Sequence, residues 1–85
     1  MTFDAATLEA IRTAAALVVE HAAYQAAKVD AGDNPEFIAG EIIDLVEWCS
    51  PGPDLHTPVA KLVLDAGDWP QGVRLPVCRH FNLPY

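Results

Sequence analysis

Asn34-Pro35-Glu36-Phe37-Ile38-Ala39-Gly40-Glu41-Ile42-Ile43-Asp44-Leu45-Val46-Glu47-Trp48-Cys49-Ser50 is the stretch on which the fold turns, because both of its ends carry helix signals. Asn34 is a capping residue type. Pro35 stands at the first helical position, where its missing N–H removes nothing, and Glu36 brings negative charge to the positive end of the helix dipole. At the other end Pro51 biases Ser50 out of helical geometry, so the spacing predicts a helix over about 35–49. At about 100° per residue, Ile38, Ile42, Leu45, Val46 and Cys49 fall in one arc, with Ala39 and Ile43 at its shoulder, and form the expected core stripe.

The same helix carries a second face. Phe37, Glu41, Asp44 and Trp48 recur at i, i+4, i+7 and i+11, roughly opposite the stripe, and interleave two aromatics with two acids. One reading buries Phe37 and Trp48 under the C-terminal third as a second core layer. The other presents them to a partner, since aromatic anchors rimmed by charge are typical of interface hot spots.

Upstream, Asp4 is the expected N-cap of a long helix over about 5–31, with Gly32 as its stop. Its length of about 27 residues, roughly 40 Å at 1.5 Å each, is nearly twice that of the second helix. Leu8, Ile11, Ala15, Val18, Ala22, Gln25 and Val29 alternate spacings of three and four, the pattern of a close-packed seam with Gln25 as its polar member. Leu17, His21, Tyr24 and Lys28 form another strip, about 120° away. The short Gly32-Asp33-Asn34-Pro35 connection implies that the two helices lie antiparallel as a hairpin.

Downstream, Ser50 to Thr57 holds two prolines, Pro51 and Pro53, and breaks the regular structure. Thr57-Pro58 repeats the cap-then-proline signal, predicting a short third helix over about 58–66 with Val59, Leu62, Val63 and Ala66 on one side and Gly67 at its end. Asp68 to Gly72 reads as a turn, and Val73 to Tyr85, with Pro76 and Pro84, as an extended C-terminal arm within 68–85 that clasps the hairpin or a neighbour. The expected fold is therefore all-α. The alternative is α+β, with a β-hairpin at about 59–78 that pairs Val59–Leu64 with Val73–Cys78, Pro76 demoting the second strand to an edge.

A chain of 85 residues makes one domain with a thin core, for much of its 52 % hydrophobic content is alanine. Twelve acids against five bases give a formal charge of −7. That excess argues against direct contact with nucleic acid or an anionic membrane surface, which both call for a basic patch. The expected partner is a protein: a second copy, or a basic or neutral surface of another chain. No basic n-region precedes the apolar run at Ala14–Val19, no apolar run is long enough to span a bilayer, and the expectation is a cytoplasmic protein with Cys49 and Cys78 as free thiols.

Chemistry-bearing residues are sparse. Cys49, His56, Cys78 and His80 are donor types that zinc takes, but their spacing matches no common knuckle. Glu20-His21 and Glu41-x-x-Asp44 do not reproduce the Glu-x-x-His pairs of carboxylate-bridged centres. Cys78 and His80 are the one thiol and base close in sequence, and no glycine-rich phosphate loop is present. The expectation is a non-enzymatic protein without metal or cofactor.

In size and charge alone the chain resembles small acidic helical proteins that serve as phage-encoded antagonists, assembly subunits and antitoxin-like partners, a resemblance that transfers no site residue. The preferred expectation is an interaction module or assembly subunit, self-associating or docked on a larger partner through Leu17, His21, Tyr24, Phe37, Glu41, Asp44 and Trp48. The alternative is an acidic inhibitor that covers a basic nucleic-acid-binding surface through Asp33, Glu36, Asp44 and Glu47. A small metal- or thiol-dependent enzyme centred on Cys78 and His80 ranks third.

Overall fold

Asp4 starts the first helix in the way its side chain allows. Its Oδ1 accepts the Thr7 backbone N–H at 2.7 Å and its carbonyl accepts from Leu8 at 2.9 Å, satisfying donors that the first helical turn leaves open. The computed structural model describes residues 3–29 and 33–84, and within them α1 runs Ala5–Val29. The expected end near Ala31 and the Gly32 stop lie outside the described residues. Ile11, Ala15, Val18 and Ala22 of the seam are buried and Ala14 joins them, while Leu8, Gln25 and Val29 are half-buried. Gln25 therefore keeps access to water at the edge of the seam.

The second helix, α2, spans Pro35–Cys49 with Pro35 at its start and Glu36 in its first turn. Asn34 does not cap it through its side chain, which instead donates from Nδ2 to the Val29 carbonyl across the connection. Ile38, Ala39, Ile42 and Val46 are fully buried, and Ile43, Leu45 and Cys49 pack against the core from its margin. Ser50 leaves the helix in extended geometry, its N–H bonded to the Val46 carbonyl at 3.1 Å.

A single 3-10 turn, Pro53–Leu55, leads into α3, His56–Ala66. Its buried residues are Val59, Ala60, Val63 and Leu64. The inner side is thus turned away from the expected set: Leu62 and Ala66 are exposed. The reason lies at the C-terminus, where the Trp69 indole donates to the Val63 carbonyl at 2.9 Å and Arg74 donates to the Leu64 carbonyl at 3.0 Å. Those carbonyls have no partner within the helix, and the two bonds fix its rotation. Gly67 makes the close turn possible, since a Cβ there would lie 2.6 Å from the Trp69 indole nitrogen.

Neither the extended arm nor the β-hairpin forms. Residues 71–81 are a fourth helix, α4, Gln71–Phe81, and Val59–Leu64 lies inside α3. Val73, Val77, Cys78 and Phe81 are buried at i, i+4, i+5 and i+8, a helical spacing. Pro76 is tolerated because the carbonyl its absent N–H would have served belongs to Gly72, which is solvent-exposed. Asn82 then adopts the left-handed conformation at φ 57°, and Leu83 N–H reaches back to the Cys78 carbonyl at 2.8 Å. That six-to-one bond is a Schellman stop, and Pro84 follows it. Tyr85 lies outside the described residues.

The four helices make two layers. α1 and α2 pack on each other; α3 lies against α1 and α4 against α2, with lighter contact of α3 with α2 and with α4. The core between the layers is small-chained, dominated by valine, alanine and isoleucine, with Phe81 its one buried aromatic among the described residues. Among the described residues no helix is long and apolar enough to cross a membrane.

Candidate functional site

The layering decides where the second faces of α1 and α2 go. On α1, the flank of Arg12, Ala15, Ala16 and Val19 borders a shallow groove shared with Leu62 and Ala66 of α3. Leu17, His21, Tyr24 and Lys28 occupy the opposite flank. On α2, Glu47 lies 3.5 Å from His80 of α4, which identifies the flank next to the upper layer, and Phe37, Glu41 and Trp48 lie on the other. Both strips therefore emerge on one side, the outer face of the α1–α2 hairpin, turned away from α3 and α4. By helical phase Leu17 and Tyr24 form one bank, Phe37 and Trp48 the other, and His21, Lys28 and Glu41 line the floor between them.

This face is uncovered. Trp48 is 86 % exposed, Tyr24 62 %, Leu17 54 % and Phe37 49 %. Of the five exposed large hydrophobic residues among the described ones, only Leu62 lies elsewhere. Among the described residues no C-terminal segment folds over Trp48, since α4 packs on the far side of α2. Glu41 is half-buried and Asp44 exposed. The Lys28 ammonium stands 5.7 Å from the Tyr24 ring centre, within reach of a cation–π attraction.

The charge is divided as unevenly as the aromatics. Residues 1–50 hold nine acids and two bases, residues 51–85 three of each, so the whole −7 belongs to the hairpin half. Asp33, Glu36, Asp44 and Glu47 are all exposed. Asp44 lies toward the aromatic face, whereas Glu36 and Glu47 share the flank beside α4. Asp4 is the acid whose environment visibly favours its charged form: the Thr7 hydroxyl, and then the Thr7 backbone N–H, hold its carboxyl below the usual carboxylate range.

The chemistry-bearing pairs come apart. Residues two apart on a helix point to different sides, so Cys78 is buried, with Sγ 3.8 Å from the Pro84 carbonyl. His80 is exposed, facing Glu47 and edge-on to Phe81 at 4.8 Å. His56 meets Phe81 from another side at 6.1 Å. Cys49 and Cys78 are free thiols, and among the described residues no three of His, Cys, Asp and Glu converge on a point where a metal ion would sit. The shallow groove of Arg12, Ala16, Val19 and Leu62 was not marked by any periodicity in the third helix, because Leu62 reads as a core position until the caps on α3 set its rotation.

Comparison with protein-family models, with curated proteins and with solved structures finds no match to this chain.

Proposed function

We propose that this chain is a non-enzymatic docking module that offers the outer face of its α1–α2 hairpin to a protein. The carrying observation is that four large hydrophobic side chains, Leu17, Tyr24, Phe37 and Trp48, stand exposed while the buried residues of the same helices form the core, and helical phase sets the four on one side of the hairpin. Apolar surface on a small chain is ordinarily scattered; gathered along two adjacent helices and rimmed with charge, it has the composition of an interface. Trp48 and Tyr24 are the residue types that dominate binding energy when a partner closes over them.

The test is positional. A photo-reactive benzoylphenylalanine replaces Trp48 or Phe37, and in a control chain Asp68, which is exposed on the other half. Irradiation in cells is expected to give discrete protein adducts from positions 48 and 37 and none from 68. Adducts from all three alike, or from 68 alone, overturn the reading.

A second reading, in which the hairpin acids occupy a basic nucleic-acid-binding surface of another protein, is favoured by the confinement of the net charge to residues 1–50. It differs in its dependence on the aromatics: binding through Asp33, Glu36, Asp44 and Glu47 survives Trp48→Ala, and docking through the aromatic face does not.

A further inference from the structure

Resting on that docking reading, we infer that the occupant of the outer face is a basic amphipathic helix of another protein, laid along the furrow between α1 and α2, and not a second copy of this chain. Three features select it. The first is shape. Two packed helices leave a furrow between them, and helical phase sets Leu17 and Tyr24 of α1 along one side of it and Phe37 and Trp48 of α2 along the other. Its length is set by α2, whose 15 residues extend about 22 Å at 1.5 Å each. A single helix of about four turns fills that length and turns the two-helix layer into three, the helix-in-groove mode of recognition.

The second is charge. Glu20 and Asp44 are exposed on or beside this face, and Glu41 is half-buried in its floor. The cations there are Lys28, already placed against the Tyr24 ring, and His21 when protonated. An occupant with lysine or arginine along its edges would pair with Glu20, Glu41 and Asp44 while its apolar stripe covered the aromatics.

The third excludes self-pairing. A two-fold dimer brings the same patch of both copies together, so Glu20, Glu41 and Asp44 of one copy would meet the same three acids of the other. Like charges brought together across an interface oppose association, and this face has too few cations to offset them.

Two synthetic helical peptides of about four turns test the inference, alike in a leucine stripe, one edged with lysine and the other with glutamate. The two tryptophans of the full chain are labelled as 5-fluorotryptophan, which gives each a fluorine resonance. Trp69, tied to the Val63 carbonyl, is the internal reference. The lysine-edged peptide is expected to shift the Trp48 resonance and leave Trp69 in place. Its affinity should fall as salt rises from about 0.1 to about 1 M, over which the screening length drops from about 10 to about 3 Å. Trp48→Ala is expected to weaken it roughly 30-fold, the loss of one hot-spot side chain. The pair Glu41→Gln with Asp44→Asn should weaken it about tenfold, and Asp68→Asn, on the other half, should leave it unchanged.

Equal binding of the glutamate-edged peptide, or undiminished binding by Trp48→Ala, overturns the inference. So does a dimer that forms in solution with Trp48 protected and excludes both peptides; that result removes the basic helix but leaves the docking reading standing. Absence of adducts at positions 48 and 37 removes the docking reading itself.

Discussion

Set the α1–α2 hairpin beside the α3–α4 pair, and the two layers are alike inside and unlike outside. Each contributes fully buried Val, Ile or Ala side chains to the shared core. The upper pair then ties its own ends together: Trp69 and Arg74 close the end of α3, the Thr57 hydroxyl donates to the Phe81 carbonyl at 3.4 Å, and Lys61 pairs with Asp65 on the solvent side. Its charges balance. The lower pair has an N-cap at Asp4, but it holds the exposed aromatics and, along its length, the entire charge excess. Fold stability therefore resides in the inner faces and in the ties of the upper pair, and the lower pair's outer face contributes little to it.

The widest separation is between two large side chains of one helix. Ile42 is fully buried and Trp48 is 86 % exposed. Ile42→Ala is expected to lower the free energy of unfolding by about 2–5 kcal/mol through lost burial and a residual cavity. Trp48→Ala, which removes more atoms, should change it by no more than about 0.5 kcal/mol. Urea titration followed by circular dichroism measures both, and a Trp48→Ala loss comparable to that of Ile42→Ala would break the comparison.

This contrast was largely legible in the residues. The stripe Ile38, Ile42, Val46 and the bounds 35–49 follow from periodicity and punctuation, and the aromatic face of α2 from the same phase. The C-terminal helix was not legible, because Pro76 carries a strong local preference against helix, while the features that overrule it are tertiary. Val73, Val77 and Phe81 are buried by α2 and α3, and the carbonyl that Pro76 cannot serve belongs to a solvent-exposed residue, Gly72. One local signal does point to it: Phe81-Asn82-Leu83-Pro84 has the residue types of a Schellman stop, which has meaning only at the end of a helix. The rotation of α3 was out of reach for a related reason, since it depends on Trp69 and Arg74 bonding across a turn.

A smaller effect has opposite signs in two places. A Cβ on Gly72 would lie 2.8 Å from the Pro35 Cβ, at the point where the start of α4 meets the start of α2. Pro35 is a rigid ring that yields little, so Gly72→Ala should destabilise by about 1–3 kcal/mol. Gly40, on the exposed side of α2, has nothing within 4 Å of such a Cβ. There Gly40→Ala should stabilise by about 0.5–1 kcal/mol, the ordinary helix-interior gain. Thermal unfolding should place the two variants on either side of the parent, and a shift in the same direction for both would show that the layers are not joined as closely at Pro35 as the geometry requires.

Between those two magnitudes stands the stop of α4. Asn82 holds φ at 57°, a conformation that disfavours alanine by roughly 1–2 kcal/mol. Asn82→Ala should destabilise by about that amount, and Asn82→Gly should match the parent or exceed it slightly. Equal losses for the two would mean that the asparagine side chain, and not the left-handed backbone, secures the end of the upper layer.

The smallest effect belongs to the start of the lower layer and is read as a pH slope. The Thr7 hydroxyl and backbone N–H favour ionised Asp4, so its folded pKa lies below the unfolded value of 3.8. A carboxyl shifted in that direction stabilises the fold fully above the unfolded value, loses that contribution as pH falls through the folded value, and contributes nothing below both. The general background also changes over this range, because protonating the twelve acids takes the chain from net negative through zero to net positive, with five Lys and Arg and three His left charged. Only a difference isolates the cap. Asp4→Asn retains an acceptor for the Thr7 N–H but does not titrate, so the stability of the parent relative to Asp4→Asn should decline as pH is lowered from about 5 to about 2. Thr7→Val deletes the larger of the two bonds and should flatten that decline. If parent and Asp4→Asn run parallel across the range, the ionised cap contributes nothing, and the lower layer is held by its buried stripe alone.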